Sequence, residues 1–109
     1  MNEFEHIIFE QQGEVAEITI NRPKALNALS VSVIEEMLHA TLSIMTDDAR
    51  VIVIQGSGDK AFVAGADIKP MLEMSTDQAL EFSRMGQMLL STLEKIPQLS
   101  IAKVKGFAL

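Results

Sequence analysis

The sequence predicts an α/β fold in which short strands alternate with two long helices. Two β-rich runs with a glycine turn between them open the chain, at residues 6–11 and 15–20. An apolar run at residues 51–54 and a β-rich segment at residues 100–104 each follow a helical pattern. Alternation of this kind is typical of strand–helix–strand units with parallel strands. The 109 residues suffice for one small domain.

Composition excludes several classes of protein. Hydrophobic residues make up 48% of the chain, which is too many for a disordered protein. The net charge of −6 argues against a nucleic-acid partner, which would require a basic face. There is no cysteine, and two histidines are too few for a metal cluster. No basic-then-apolar leader and no run of membrane-spanning length is present, so we expect a cytoplasmic protein with no membrane partner.

The first two strands form a predicted hairpin, because residues 12–14 read as a turn between them. We expect His6 to lie in or beside the first strand without a functional role. Residues 21–29 follow as a loop, since Pro23 disfavours helix at the residue before it and stops the strand. This loop either simply connects two elements or lies along a ligand.

The first helix is predicted over residues 30–45. Ser32 with Glu35 fits a capping box, and Ser30 is a rival cap. His39 is expected at the surface or its boundary. Apolar side chains and one threonine recur at helical spacing and predict the buried face: Val33, Ile34, Met37, Leu38, Thr41, Leu42 and Met45.

The segment Lys60–Lys69 lies at a predicted passage from strand to helix, after the buried strand and a turn at residues 55–59. Its small residues allow another group to approach the backbone closely. The first N–H groups of a helix have no partner within the helix, and they would suit an oxygen that gains negative charge. An ordinary glycine turn before a helix would look similar.

A second long helix follows, with Ser75 and Gln78 as a capping box. The amphipathic pattern continues to Ile96, and Pro97 ends it. Residues 100–104 then read as a third β segment of the α/β pattern, and for the first strand–helix–strand unit, which ends at residues 51–55, we expect a right-handed crossover.

Three pieces of the sequence resemble the enoyl-CoA hydratase/isomerase (crotonase) superfamily. Ala61–Met71 resembles its first signature, Asn21–Leu29 its N-terminal signature, and Lys105–Leu109 the start of its second signature. The resemblance implies a crotonase-like (ClpP/crotonase) spiral of strand-strand-helix turns. Residues 1–109 would form its N-terminal part, and the second glycine run and the catalytic carboxylates would follow Leu109.

The resemblance also implies site residues. The backbone N–H of Ala66 would be one of two donors in an oxyanion hole, worth roughly 3 to 4 kcal/mol per donor. The carbonyl of Ala64 would accept a hydrogen bond from adenine, and Met71, Leu72 and Met74 would contact the acyl chain or the core. No metal and no separate cofactor are implied, since CoA enters with the substrate. The implied CoA and substrate contacts are Lys24, Ala25, Leu26, Ala64, Gly65, Ala66, Asp67, Ile68 and Lys69.

The function implied by the resemblance is an enoyl-CoA hydratase, a lyase of fatty-acid oxidation that adds water to 2-enoyl-CoA thioesters. Carboxylates would act as general acid and base. The intact protein would be a homo-trimer or hexamer. The alternatives are a truncated, inactive module that binds CoA or a partner, another superfamily activity such as isomerase or thioester hydrolase, and an unrelated small α/β domain. The 109 residues alone are expected to be inactive.

Overall fold

A four-stranded mixed sheet forms one layer of the protein. The computed structural model describes residues 4–109. Strand β1 (Ile7–Gln12) pairs antiparallel with β2 (Val15–Ile20) through a turn in which Gly13 has φ +60°. Strand β3 (Val51–Gly56) lies parallel to β2, and β5 (Leu99–Ala102) lies parallel to β3. The order β1-β2-β3-β5 confirms the predicted α/β class.

Two helices make the parallel crossovers. Helix α1 (Val31–Met45) connects β2 to β3, and helix α3 (Thr76–Lys95) precedes β5. Between them lie a short strand β4 (Ala61–Val63) and a single helical turn α2 (Ile68–Met71). Strand β6 (Phe107–Ala108) pairs parallel with β4 and forms a second, two-stranded sheet. No helix within residues 4–109 has both the length and the apolar character needed to cross a membrane.

The core lies between the four-stranded sheet and the two long helices. Ile18 and Ile52 on the sheet and Val33 and Ile44 on α1 are fully buried. Their burial follows from the spacing of apolar residues in the sequence. In a strand every second side chain faces the same side, and in a helix every third or fourth side chain does so. Phe82 and Leu89 of α3 join this core.

The helix starts follow their capping serines. Ser30, with extended backbone, accepts a hydrogen bond from the N–H of Val33, so Ser30 caps α1 and the predicted box at Ser32 is wrong. Ser32 lies inside the first turn, where its own backbone is already helical. The capping box of Ser75 and Gln78 is confirmed in both directions.

Other boundaries also differ from the expectation. The last strand of the main sheet is Leu99–Ala102 and not residues 100–104, because the chain leaves the sheet after Lys103 donates to the carbonyl of Ile54. Strand β4 is not among the predicted elements, because its partner β6 lies more than 40 residues later in the sequence, at Phe107–Ala108. Leu42 and Met45 are 53% and 39% exposed and not buried, because they line an open groove between α1 and α3.

Candidate functional site

The loop at residues 21–29 and the segment at residues 61–67 lie side by side. The N–H of Ala64 donates to the carbonyl of Leu26 at 3.1 Å, and the N–H of Leu29 donates to the carbonyl of Gly65 at 2.8 Å. The N–H of Asp67 completes the ladder to the carbonyl of Leu29 at 2.8 Å. The two predicted motifs therefore form one structural unit, although helix α1 and strand β3 separate them in sequence.

Asn27 fixes the shape of the loop. Leu26 and Asn27 both have left-handed backbone conformations, with φ of 53° and 56°. The Asn27 side chain is buried, and its amide donates to the carbonyls of Ser57 and Ala61 at 3.1 and 2.9 Å. Its Oδ1 accepts from the N–H of Arg22 at 2.9 Å. Asparagine suits this position because it tolerates left-handed φ and offers both donor and acceptor.

Gly56 leaves the space that Asn27 occupies. A Cβ at residue 56 would lie 2.5 Å from Asn27 Nδ2 and 2.5 Å from the carbonyl oxygen of Ala61, and would also meet the carbonyl oxygen of Phe62. The end of β3 therefore contacts both the loop and β4 directly. Any side chain at this glycine would push them apart.

The peptide between Gly65 and Ala66 has a defined direction. It is trans, so its carbonyl and its N–H point in opposite directions. Because the carbonyl faces Leu29, the Ala66 N–H faces away from the loop. None of the hydrogen bonds formed among residues 4–109 uses this N–H, and Ala66 is exposed.

The residues just before Ala66 also contact the end of β6. The N–H of Leu109 donates to the carbonyl of Val63 at 3.1 Å. Gly65 has φ +103°, and a Cβ there would lie 3.3 Å from the carbonyl oxygen of Leu109. Glycine at residue 65 thus permits both the backbone conformation and the close approach of the β6 end.

Arg22 and Asp67 form a partly buried ion pair across the two segments. Arg22 Nη2 lies 3.0 Å from Asp67 Oδ2, and the two side chains are 22% and 17% exposed. Arg22 Nη1 also donates to the carbonyl of Ala28 at 2.7 Å. Asp67 caps α2 through the N–H of Lys69 at 3.4 Å, so its carboxylate already has two partners.

The implied contact residues fall into two groups. Leu26, Ala64, Gly65, Ala66 and Asp67 meet at the ladder, whereas Lys24, Ile68 and Lys69 are exposed around it. Ala25 is half-buried in the 3-10 turn Pro23–Ala25. The carbonyl of Ala64 has no hydrogen-bond partner among residues 4–109.

A groove of about 350 Å³ lies beside the loop, and we call it the lysine groove. Lys24 and Lys60 line it together with Leu26, Ser57 and Gly58. Neither lysine takes part in an ion pair within the described part of the chain. Two cationic side chains at one groove favour an anionic ligand.

A third lysine, Lys105, forms an ion pair with Asp59, which also lines the lysine groove. Lys105 Nζ lies 2.8 Å from Asp59 Oδ1. This hydrogen bond, and then the charge of Lys105, lower the pKa of Asp59 below its ordinary value of 3.8. The contact holds the turn after β3 against the segment that leads into β6.

The residues implied for the acyl chain are divided. Met71 and Met74 pack against the core, while Leu72 is 87% exposed. An apolar groove of about 270 Å³ is lined by Leu29, Val63, Leu89, Leu93 and Leu109 among others. Leu29 and Val63 belong to the two segments that the ladder joins, so this groove, unlike Leu72, offers apolar surface next to the ladder.

Sequence reasoning did not assign the residues that hold the site together. The patterns place Arg22 and Asn27 in a loop and Gly56 in a turn without giving them a role, and Lys60 is only the first residue of the segment Lys60–Lys69. Asparagine directly after Pro-Lys-Ala-Leu was a possible sequence signal for Asn27, because asparagine tolerates the left-handed backbone that turns require. The pairing of Arg22 with Asp67 depends on the tertiary fold and leaves no local pattern.

Comparison with known proteins gives a consistent result. The family model described as enoyl-CoA hydratase/isomerase matches residues 10–109. The chain is 43% identical over 108 residues to a short-chain-enoyl-CoA hydratase of Clostridium acetobutylicum and 43% identical over 107 residues to a crotonyl-CoA hydratase of Syntrophomonas wolfei. These matches cover 98% and 97% of this chain and 41% of each relative, so the chain spans about two fifths of their length.

A solved structure of an enoyl-CoA hydratase has the same fold as this chain. A crystal structure of an enoyl-CoA hydratase from Bacillus anthracis superposes with a TM-score of 0.91 at 31% identity. This match covers 95% of the present chain and 41% of that one. The strand-strand-helix arrangement described above is therefore the arrangement found in that protein.

Proposed function

The chain belongs to the enoyl-CoA hydratase/isomerase family and has its crotonase fold, and from this premise we propose that it forms the part of an enoyl-CoA hydratase that binds a CoA thioester and polarises its carbonyl group. The whole protein would add water across the double bond of 2-enoyl-CoA substrates in fatty-acid oxidation. The direction of the Ala66 N–H is the observation that carries the proposal.

Ala66 is proposed as the first donor of the oxyanion hole. Its N–H is exposed, has no partner within residues 4–109, and is held by a peptide whose carbonyl is already bonded to Leu29. A donor fixed before the substrate arrives requires no reorganisation when negative charge builds on the thioester oxygen. The second donor would come from the chain after the end of β6.

The lysine groove is proposed to bind the nucleotide part of CoA. Its Lys24 and Lys60 would face the phosphates, and Ala64 would offer its unpaired carbonyl to the adenine amino group. Ala25, which is half-buried, and Ile68 and Lys69, which are exposed, are proposed as further contacts of CoA. No separate cofactor is proposed, because CoA is part of the substrate.

The acid and base of the hydration are proposed to come from sequence beyond Leu109. Asp67 is the carboxylate next to the proposed donor, and Arg22 and the N–H of Lys69 already occupy it. Asp67 therefore serves the structure of the site in this proposal.

A second candidate is binding of CoA thioesters without turnover, as an inactive module. The ion pair of Asp67 with Arg22 favours this second candidate for the 109 residues alone. The proposed donor that polarises the carbonyl is present, but the described residues offer no unpaired carboxylate beside it to act as general base. Both candidates predict no turnover by the 109 residues alone, so hydration by the whole protein separates them.

The test is to titrate the 109-residue protein with crotonyl-CoA in a calorimeter and to follow hydration by the loss of ultraviolet absorbance of the conjugated thioester. We expect binding that weakens in Lys24→Gln and Lys60→Gln but not in the control Lys95→Gln, which lies at the end of α3. Turnover by the 109 residues would remove the second candidate. Absence of binding in the unmodified protein would contradict the proposed function.

A further inference from the structure

One guanidinium group bonds to residues adjacent to those that orient the Gly65–Ala66 peptide. Arg22 Nη1 donates to the carbonyl of Ala28, the residue before Leu29. Arg22 Nη2 bonds to the carboxylate of Asp67, the residue after Ala66. The hydrogen bond from Leu29 to Gly65, which orients the peptide, joins the same two segments. The guanidinium thus bridges the two segments whose pairing gives the Ala66 N–H its direction.

Arg22 is itself fixed in place by its backbone. Its N–H donates to Asn27 Oδ1 at 2.9 Å, and its carbonyl accepts from the N–H groups of Ala25 and Asn27, each at 2.9 Å. Because Asn27 is buried, the base of the arginine side chain cannot shift without disturbing the core of the loop. The guanidinium therefore extends from a fixed backbone position and connects the loop to the ladder.

The chemistry of this contact requires arginine. A planar fork can give separate N–H groups to a carbonyl and to a carboxylate at fixed angles, whereas a lysine ammonium is a single point of charge on a flexible stem. The low exposure of both side chains also distinguishes this pair from the pair of Arg50 and Glu14. Arg50 Nε lies 3.5 Å from Glu14 Oε1, and those two side chains are 78% and 66% exposed. Pairs as exposed as that one contribute little.

We infer that Arg22 is a positioning residue, which directs the Ala66 N–H by clamping the Ala28–Leu29 and Ala66–Asp67 segments to each other. The inference rests on the proposed function for its catalytic meaning, but the orientation itself is a property of the ligand-free protein. Arg22 touches no reacting group in this arrangement and acts through Asp67 and Ala28.

The first test measures the direction of the Ala66 N–H without any ligand, by residual dipolar couplings of the ¹⁵N-labelled 109-residue protein. In Arg22→Lys, we expect the couplings of α1 and β3 to keep their values and the coupling of Ala66 to change. Arg50→Lys is the matched control, since it makes the same replacement in an exposed pair. An unchanged Ala66 coupling in Arg22→Lys would overturn the inference.

The second test adds butyryl-CoA, a saturated thioester that cannot be hydrated, and compares it with CoA, which lacks the carbonyl. We expect the thioester alone to move the Ala66 amide proton downfield, and this movement to fall by about half or more in Arg22→Lys because the donor is misdirected. An equal movement in both proteins would count against the inference. No movement in the unmodified protein would contradict the proposed function and leave the dipolar couplings to decide the orientation.

A second variant guards against loss of folding. Asp67→Asn keeps the size of the side chain and its ability to cap Lys69 but removes the charge that Arg22 binds. We expect the same change in the Ala66 coupling with less effect on the loop. Should Arg22→Lys unfold, an unaltered coupling in Asp67→Asn would refute the clamp by itself.

Discussion

The side-chain amide of Asn27 donates to the carbonyl of Ala61 at 2.9 Å, from a residue that is 1% exposed. This bond joins the loop after β2 to the first residue of β4. With the bonds to Ser57 and from Arg22, it satisfies backbone groups that would otherwise be left without partners. Buried polar groups that lose a partner cost more than the bond itself contributes.

Asn27 has two roles, because its side chain forms hydrogen bonds and its backbone adopts the left-handed conformation, and two replacements should separate them. Asn27→Gly keeps the left-handed backbone accessible but removes the four side-chain hydrogen bonds of Asn27, and we expect a loss of about 2 to 3 kcal/mol in the free energy of unfolding. Asn27→Ala should lose about 1 kcal/mol more, because alanine disfavours a φ of 56°. Urea denaturation measures both. Equal stability of the two variants would argue against the backbone role.

Gly56→Ala should destabilise the protein by about 2 to 3 kcal/mol, because the added methyl group meets backbone carbonyls that cannot move aside. Gly86→Ala is the control within α3, where the new Cβ would lie 3.8 Å from Ile34 Cδ1 in ordinary contact. It should stabilise by about 0.5 to 1 kcal/mol through helix propensity. Thermal unfolding of both variants gives the comparison, and a harmless Gly56→Ala would mean that β3 and the loop are not packed as described.

The ion pair of Asp59 and Lys105 predicts a small dependence of stability on pH. Since the pKa of Asp59 is lower in the folded protein than its ordinary 3.8, its contribution is present above that value and is lost as the pH falls toward the folded pKa. Lys105→Gln should raise the pKa of Asp59 toward 3.8. Carbon NMR of the Asp59 carboxyl group during an acid titration measures it. An identical titration in both proteins would exclude the contact in solution.

Removal of the α3 cap should loosen the start of that helix. Ser75→Ala loses the bond to the N–H of Gln78, and we expect a cost of about 1 kcal/mol. Ser83→Ala, at an exposed position inside α3, is the matched control and should be neutral or slightly stabilising. Hydrogen exchange at residues 76–79 is the direct measurement. Equal exchange in Ser75→Ala and Ser83→Ala would contradict a role for the cap.

Local patterns were sufficient for the main elements of the fold. The alternation in residues 15–20 predicts β2, and the helical spacing from Val33 onward predicts α1, because each pattern reflects one buried face. The cap at Ser75 was predicted for the same reason, since its partner is three residues away. The family resemblance added the order of the strand-strand-helix turns.

Long-range contacts account for what the sequence analysis missed. Strand β4 depends on β6, and the short run Ala61–Val63 has no periodicity that would mark it as a strand. Arg22 and Asp67 meet only after the chain has passed through α1 and β3. Leu42 fits the apolar stripe of α1 but lies 53% exposed, because the stripe is wider than the surface that the sheet covers.

The distance along the chain between Arg22 and Asp67 bears on how the protein folds. The hairpin of β1 and β2 closes over a few residues, whereas the ladder between residues 26–29 and 64–67 closes a loop that contains a helix and a strand. Closing a longer loop costs more chain entropy before any contact compensates for it. We therefore expect the hairpin to form early and the ladder late. On the ribosome, the peptide that carries the Ala66 N–H can acquire its orientation only after residue 67 has left the exit tunnel.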